Sequence, residues 1–168
     1  MRTALEAPDD ALDTQEKDFV AKIREHGWSG TNIFAEGNQP GFTFTTGFWV
    51  THRAPEIIVF GLKAEIAHSV FWDLYRDIAN GQTLPLCSRS DELLGNHDAY
   101  LFPVHKTHYP EYLGWSRWFY AGDEFPCVQL VWPDRKNVFP WEETFDATMA
   151  AKQIDISESG WRGMSRRH

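Results

Sequence analysis

The sequence predicts a single α+β domain, a mainly antiparallel sheet carrying two principal packed helices. Three observations carry this expectation. Two stretches, "TQEKDFVAKIREH" and "KAEIAHSVFWDLYRDIA", space their apolar residues at helical intervals. Between them three β-like stretches follow one another with turn residues and no helix, the arrangement that joins neighbours antiparallel. No repeat, linker or low-complexity tract divides the 168 residues, a length suited to one domain. Residues 1–12 read as a flexible acidic leader, 13–156 as the domain and 157–168 as a basic tail.

Each element has its own signal. In the first helix Phe19, Ile23 and the His26 ring share a face; Thr14 is placed to cap it and Gly27 to end it. A short strand is expected over 31–36, then "NQP" turn chemistry. "GFTFTTGFWV" alternates Phe42, Phe44 and Thr46 with Thr43 and Thr45 until Gly47 interrupts it. "PEIIVFGL" is continuously apolar, as a strand covered on both faces would be. The second helix repeats Ile66, Val70, Leu74 and Ile78, flanked by Ala67, Phe71 and Tyr75, and Gly81 closes it. "AYLFPV" predicts a strand, "PEYLGWSRWFYAG" a helix with Tyr112, Trp115 and Phe119 inward, "FPCVQLVW" the last strong strand and "FDATMAAKQ" a short helix.

Composition narrows the function classes. A net charge of −8 argues against nucleic acid, whose phosphates require clustered cations. The one basic cluster, Arg162, Arg166, Arg167 and His168, reads as a solvated tail. No apolar run approaches the roughly 20 residues of a membrane span. The opening "MRTALEAPDDALDTQEKD" is polar and acidic, so the expectation is a cytoplasmic protein with reduced thiols, or one exported without a signal peptide. No cofactor is expected. "TTGFW" offers backbone amides to an anion but lacks the lysine and spacing of a phosphate loop. The expected partner is a small molecule or a protein, with oligomeric state open.

Four phrases then add up in order: "HGW", "QPGFTFTTGF", "PEIIVFGL" and "QLVWPDRKNVFPWEE". Together they resemble the bacterial family catalogued as domain of unknown function 4262, over residues 18–145. The resemblance implies a small α+β domain. Some members of that family resemble cysteine-protease-like deamidases with a Cys–His–Asp arrangement, and their nucleophile belongs near "PGFTF". Here Pro40, Gly41 and Phe42 stand in that place, and no cysteine precedes Cys87.

Candidate chemistry falls into four sets. Cys87, His105 and Asp134 run in the order nucleophile, base and orienter of a thiol-dependent amidohydrolase or deamidase. The settings "LPLC" and "FPCVQLV" instead make Cys87 and Cys127 small packed residues with slow thiols. His97, Asp98, His105 and His108 include zinc-ligand types, which would suit a metal-dependent hydrolase, but no HExxH helix holds them. Glu56 and Asp134 each follow a proline, as an acid and base pair flanking a cleft or as turn residues. The remaining set is polar residues embedded in apolar motifs. It predicts a binding module whose pocket has aromatic walls from Trp49, Trp132 and Trp141 and polar contacts from Thr45, Glu56, His105, Gln129 and Asp134. In "WPDRKN" the proline fixes φ, the aspartate caps and the asparagine tolerates the left-handed region, which would bring Trp132 and Trp141 together across a turn.

Overall fold

The computed structural model describes residues 2–161 and 164; of the basic cluster, Arg162, Arg166, Arg167 and His168 lie outside them. Five strands form one sheet in the order β1-β2-β3-β5-β4: β1 (Ser29–Ile33), β2 (Phe42–Thr46), β3 (Glu56–Phe60), β4 (Tyr100–Pro103) and β5 (Cys127–Val131). All neighbours run antiparallel except β3 and β5, which are parallel, so the fold is the expected α+β with a mainly antiparallel sheet. The helices are α1 (Thr14–His26), α2 (Phe48–His52), α3 (Ala64–Ala79), α4 (Tyr109–Tyr112) and α5 (Gly114–Tyr120).

Strand alternation sorts the core onto two faces. Ile57, Val59, Val128 and Leu130 pack with Ala67, Phe71 and Leu74 of α3. Ile58, Phe60 and Cys127 pack with Phe19 and Ile23 of α1 and with Phe119 and Tyr120 of α5. Central β3 is buried at every position, which explains its continuous apolar run.

Several elements depart from the sequence reading in detail. Asp13, not Thr14, caps α1: its carboxylate accepts the Glu16 amide at 2.8 Å while Glu16 accepts the Asp13 amide at 2.9 Å. That reciprocal pair satisfies two otherwise unpaired donors. The buried stripe of α3 is Ala67, Phe71 and Leu74, and Ile66 is exposed. The helix is therefore rotated by one position from the four-residue repeat. The expected helix around residues 110–122 is two, separated at Leu113. Ala4 and Leu5 of the leader pack on the α1–α5 side of the core, and the Leu5 carbonyl accepts from Arg24 Nη2 at 2.6 Å.

After Gly47 the chain turns into α2 instead of extending β2. Gly47 has φ +121°, and a Cβ there would lie 2.5 Å from the Gly27 carbonyl oxygen and 2.7 Å from the Trp28 Cα. Only glycine fits, because any side chain would push the end of α1 away from the start of α2.

Candidate functional site

Beside that glycine lies the most concentrated polar group in the fold. Glu56 opens β3 and is wholly buried. Its Oε1 accepts from Thr45 Oγ1 at 2.8 Å and the Phe48 amide at 3.1 Å. Its Oε2 accepts from the amides of Gly47 at 3.0 Å and Trp49 at 3.1 Å, and from Tyr120 Oη at 2.5 Å. Thr45 Oγ1 itself accepts from the Ile57 amide and Tyr120 Oη from the Val50 amide, so each hydroxyl has its hydrogen free for Glu56. Five donors thus converge on one carboxylate. Burial pushes its pKa above the ordinary glutamate range, and the hydrogen bonds from Tyr120, Thr45, Trp49 and Gly47 oppose this without cancelling it. Burial and the neighbouring Glu56 charge push the Tyr120 phenol up as well. Every lone-pair direction of Glu56 is used to tie β2, β3, α2 and α5 together, so this is a joint.

The eight side chains expected to share a pocket do not converge. Thr45 and Glu56 belong to the joint, as does the Trp49 amide, while the Trp49 ring lies 5.2 Å beneath the Arg53 guanidinium. Gln129 is buried and grips the C-terminal segment: its Nε2 donates to the Ile154 carbonyl at 2.6 Å and its Oε1 accepts the Ile156 amide at 3.2 Å. Trp132 Nε1 donates to the Phe60 carbonyl at 2.7 Å, and the ring packs on the α3 face. Trp141 packs with Tyr100, Phe102 and Phe139 in another cluster, so the two tryptophans do not meet across the turn. Val131 faces the Trp141 cluster, and Trp132, the next residue, turns to the α3 face.

Asp134 builds that turn. Its Oδ1 accepts the amides of Lys136 at 2.9 Å and Val138 at 3.0 Å, and its Oδ2 accepts the Asp146 amide at 2.9 Å. Burial alone would raise its pKa; the amides of Val138, Asp146 and Lys136 more than offset this and hold it below the ordinary value. Asn137 has φ +66°, the left-handed conformation foreseen from "WPDRKN".

The proposed triad is not assembled by hydrogen bonds. His105 is exposed and its Nδ1 pairs with Thr107 Oγ1 at 2.8 Å, and both Asp134 oxygens are taken by main-chain amides. Cys87 is exposed, not packed. Its amide donates to the Leu101 carbonyl at 2.8 Å, which leaves the side chain on the outside of β4 at φ +58°. Cys127 is buried, and burial pushes its thiol well up. Among the described residues no group of three or more His, Cys, Asp or Glu could hold a metal ion. Asp98 is bound to Arg89 at 2.7 Å.

The aromatic-walled cleft lies elsewhere. About 280 Å³ in volume, it is lined by Lys22, His26, Trp28, Ser29, Gly30, His68 and Trp72. Lys22 and His26 stand four apart on α1, and His68 and Trp72 stand four apart on α3, so each helix contributes one adjacent pair. Ser29 and Gly30 of β1 complete the lining. Trp28 is 2% exposed. Its ring meets Trp72 at 5.1 Å and 75°, Phe48 at 5.7 Å and 87°, Phe71 at 6.1 Å and 87°, and His68 at 5.6 Å. The Trp28 indole N–H has no hydrogen-bond partner among the described residues, so packing alone orients the ring. A Cβ on Gly30 would come within 2.7 Å of His68 Nε2, so glycine lets the imidazole lie over the strand.

The joint supports this cleft. Glu56 anchors the first turn of α2, whose Phe48 ring abuts Trp28 and whose Thr51 Oγ1 donates to the Gly27 carbonyl at 2.7 Å. A second cleft of about 350 Å³ lies between residues 52–55 and 78–86. Pro55, Ile78, Leu84 and Leu86 give it apolar walls and Arg53, Gln82 and Thr83 polar ones, with no aromatic side chain besides the His52 imidazole.

Helical spacing puts His26 on α1, but no motif in the sequence marks Lys22, Trp28, His68 or Trp72 as a site. The available signal was the pairing of His68 with Trp72 one helical turn apart, on the flank of the apolar stripe.

A family model described as "Domain of unknown function (DUF4262)" matches residues 22–146, and the chain belongs to that family. The match begins at Lys22 and includes every cleft residue. No curated protein and no solved structure matches the chain. No helix among the described residues is long and apolar enough to cross a membrane.

Proposed function

We propose that this domain is a binding module whose cleft between α1, α3 and the β1 edge takes the anionic end of a small molecule or side chain. One observation carries the reading. On a chain with net charge −8, the cleft gathers two tryptophans, two imidazoles, an ammonium and a hydroxyl, and no carboxylate. Aromatic faces hold an apolar or planar stem, and nitrogen donors at one rim hold the negative end. Asp18 does lie 3.2 Å from Lys22, and Glu25 3.6 Å from His26, but all four side chains are exposed. Such a pair is worth at most about 0.5 kcal/mol, so Lys22 is free to turn to a ligand.

Size favours a single ring or one side chain. Sites for drug-sized ligands begin at roughly 300 Å³, and this cleft is slightly smaller. Phenylacetate, with about ten heavy atoms at roughly −0.3 to −0.4 kcal/mol each, should bind with a Kd of about 1–10 mM. Calorimetric titration of phenylacetate into the wild type, Lys22→Ala and Trp72→Ala checks this. Millimolar binding to the wild type that weakens at least about fivefold in each variant is expected. Equal binding by all three, or none by the wild type, would overturn the reading. The thiol-hydrolase alternative lacks comparable support, because Asp134 accepts main-chain amides and His105 Nδ1 pairs with Thr107 instead of with Asp134.

A further inference from the structure

The two edges of the sheet are treated differently. At the β4 edge, the Cys87 amide donates to the Leu101 carbonyl, Ser90 pairs with Ala99, and Val104 bridges to Ser157. Among the described residues no segment pairs with the outer side of β1. Natural sheets usually guard such an edge with lysine, proline, a bulge or a covering loop. The β1 sequence, Ser29–Gly30–Thr31–Asn32–Ile33, has no charge and no proline. Ile33 and Phe34 beyond it are 41% and 82% exposed.

The ladder tells which groups face outward. Gly61 donates to the Gly41 carbonyl, so the odd-numbered residues of β2 bond towards β3. Alternation turns Phe42, Phe44 and Thr46 towards β1, where they pair with Ile33, Thr31 and Ser29. The amide and carbonyl of Gly30 and of Asn32 therefore point to the open edge. Gly30 is also part of the cleft lining. One open backbone rail and one cation-rimmed aromatic cleft are thus continuous at a single residue.

We propose that β1 is a docking edge for an extended peptide, which pairs with Gly30 and Asn32 and sets an acidic side chain into the cleft lined by Lys22, His26, His68 and Trp72. This rests on the binding reading above and names its ligand. Backbone pairing supplies affinity, and the pocket beside the edge supplies the choice of side chain. The acidic choice follows from Lys22, His26 and His68 in a lining that holds no carboxylate; Asp18 and Glu25 approach Lys22 and His26 from exposed positions on α1, where a ligand carboxylate can displace them. An apolar residue farther along the peptide would rest on Ile33 and Phe34.

The test uses fluorescein-labelled octapeptides of alternating Thr and Val with one central Glu, read by fluorescence anisotropy. Comparison peptides carry a central Lys, or N-methyl groups on alternate amides. Phenylacetate serves as the small-acid control. The Glu peptide should bind at least about tenfold tighter than phenylacetate, and the Lys peptide at least about tenfold weaker than the Glu peptide. One of the two alternate N-methylation registers should abolish the gain, and Asn32→Pro should do the same. Proline at 32 removes an outward amide and leaves the β1–β2 ladder intact; the N-methylated peptides decide the matter should that variant not fold. If phenylacetate binds but the peptide binds no tighter, the peptide proposal is wrong and the cleft reading stands. If neither binds, both fall. Concentration-dependent dimerisation of the wild type, absent in Asn32→Pro, would assign the edge to a second copy and overturn the peptide proposal.

Discussion

The Glu56 joint and the Trp28–Trp72 cleft lie on either side of the Gly27–Gly47 contact, yet they handle polarity in opposite ways. At the joint, five donors meet one carboxylate and both partner hydroxyls are committed on their other side. Nothing is left to bind a ligand. At the cleft, Lys22 and His26 meet exposed acids of their own helix, Asp18 at 3.2 Å and Glu25 at 3.6 Å, and a ligand can compete for both. A polar residue inside an apolar motif therefore marks a site only when its hydrogen bonds are not already made within the fold. Glu56, Asp134 and Gln129 all satisfy the sequence criterion, and all three spend their hydrogen bonds within the fold.

The largest effect expected from breaking the joint is in Glu56→Gln. An amide nitrogen in place of either oxygen would face at least two donors, so unfolding free energy should drop by about 3 kcal/mol or more, measured by urea denaturation at neutral pH. The pH dependence has a definite sign. Because the folded pKa is raised, the stability linked to Glu56 is full below the ordinary glutamate range and declines as pH rises through the folded value. The gap between wild type and Glu56→Gln should narrow from acid towards neutral pH; a gap that widens would mean the five donors outweigh burial.

Asp134→Asn should cost less, about 1–2 kcal/mol, as one or two of its three amide bonds survive. Here the folded pKa is lowered, so the stability it contributes is present above the unfolded value and disappears as pH falls through the folded one. Thermal melts across pH 2–7 should show the Asp134→Asn gap closing in acid, opposite in direction to the Glu56→Gln gap. Ligand binding at the cleft should be unchanged in Asp134→Asn, and a loss would return Asp134 to the binding site.

The sequence conveyed a good part of this fold. The Phe42–Thr46 alternation, the apolar run of β3 and the "WPDRKN" turn were legible because each is governed by local periodicity or a single backbone preference. The capping of α1 by Asp13, the one-position rotation of α3 and the split at Leu113 were not, since they depend on what each helix meets in space. The cleft was the least legible feature. Its parts come from residues 22–30 and 68–72, and nothing in either stretch says that two helices will set their pairs over one strand edge. Cys87 was misread for a related reason: "LPLC" is apolar, but its amide hangs on the outside of β4 and the thiol faces solvent.

That correction gives the smallest perturbation. Iodoacetamide should label Cys87 in the native protein, and Cys127 only after unfolding, by peptide mass analysis. Native labelling of Cys127 would contradict the packing of β5 against the α1–α5 side of the core. Cys87→Ser should leave stability within about 0.5 kcal/mol, as for an exposed position with only its main chain engaged.

The contrast between joint and cleft is tested most directly by the indole resonances of the eight tryptophans. In ¹⁵N-labelled protein titrated with phenylacetate, the Trp28 and Trp72 indole N–H signals should shift together and saturate. Those of Trp49, beside the joint, and of Trp132, bound to the Phe60 carbonyl, should stay in place. Shifts confined to Trp49, Trp132 or Trp141, with Trp28 and Trp72 unmoved, would place binding where the sequence first put it and contradict the account given by the structure.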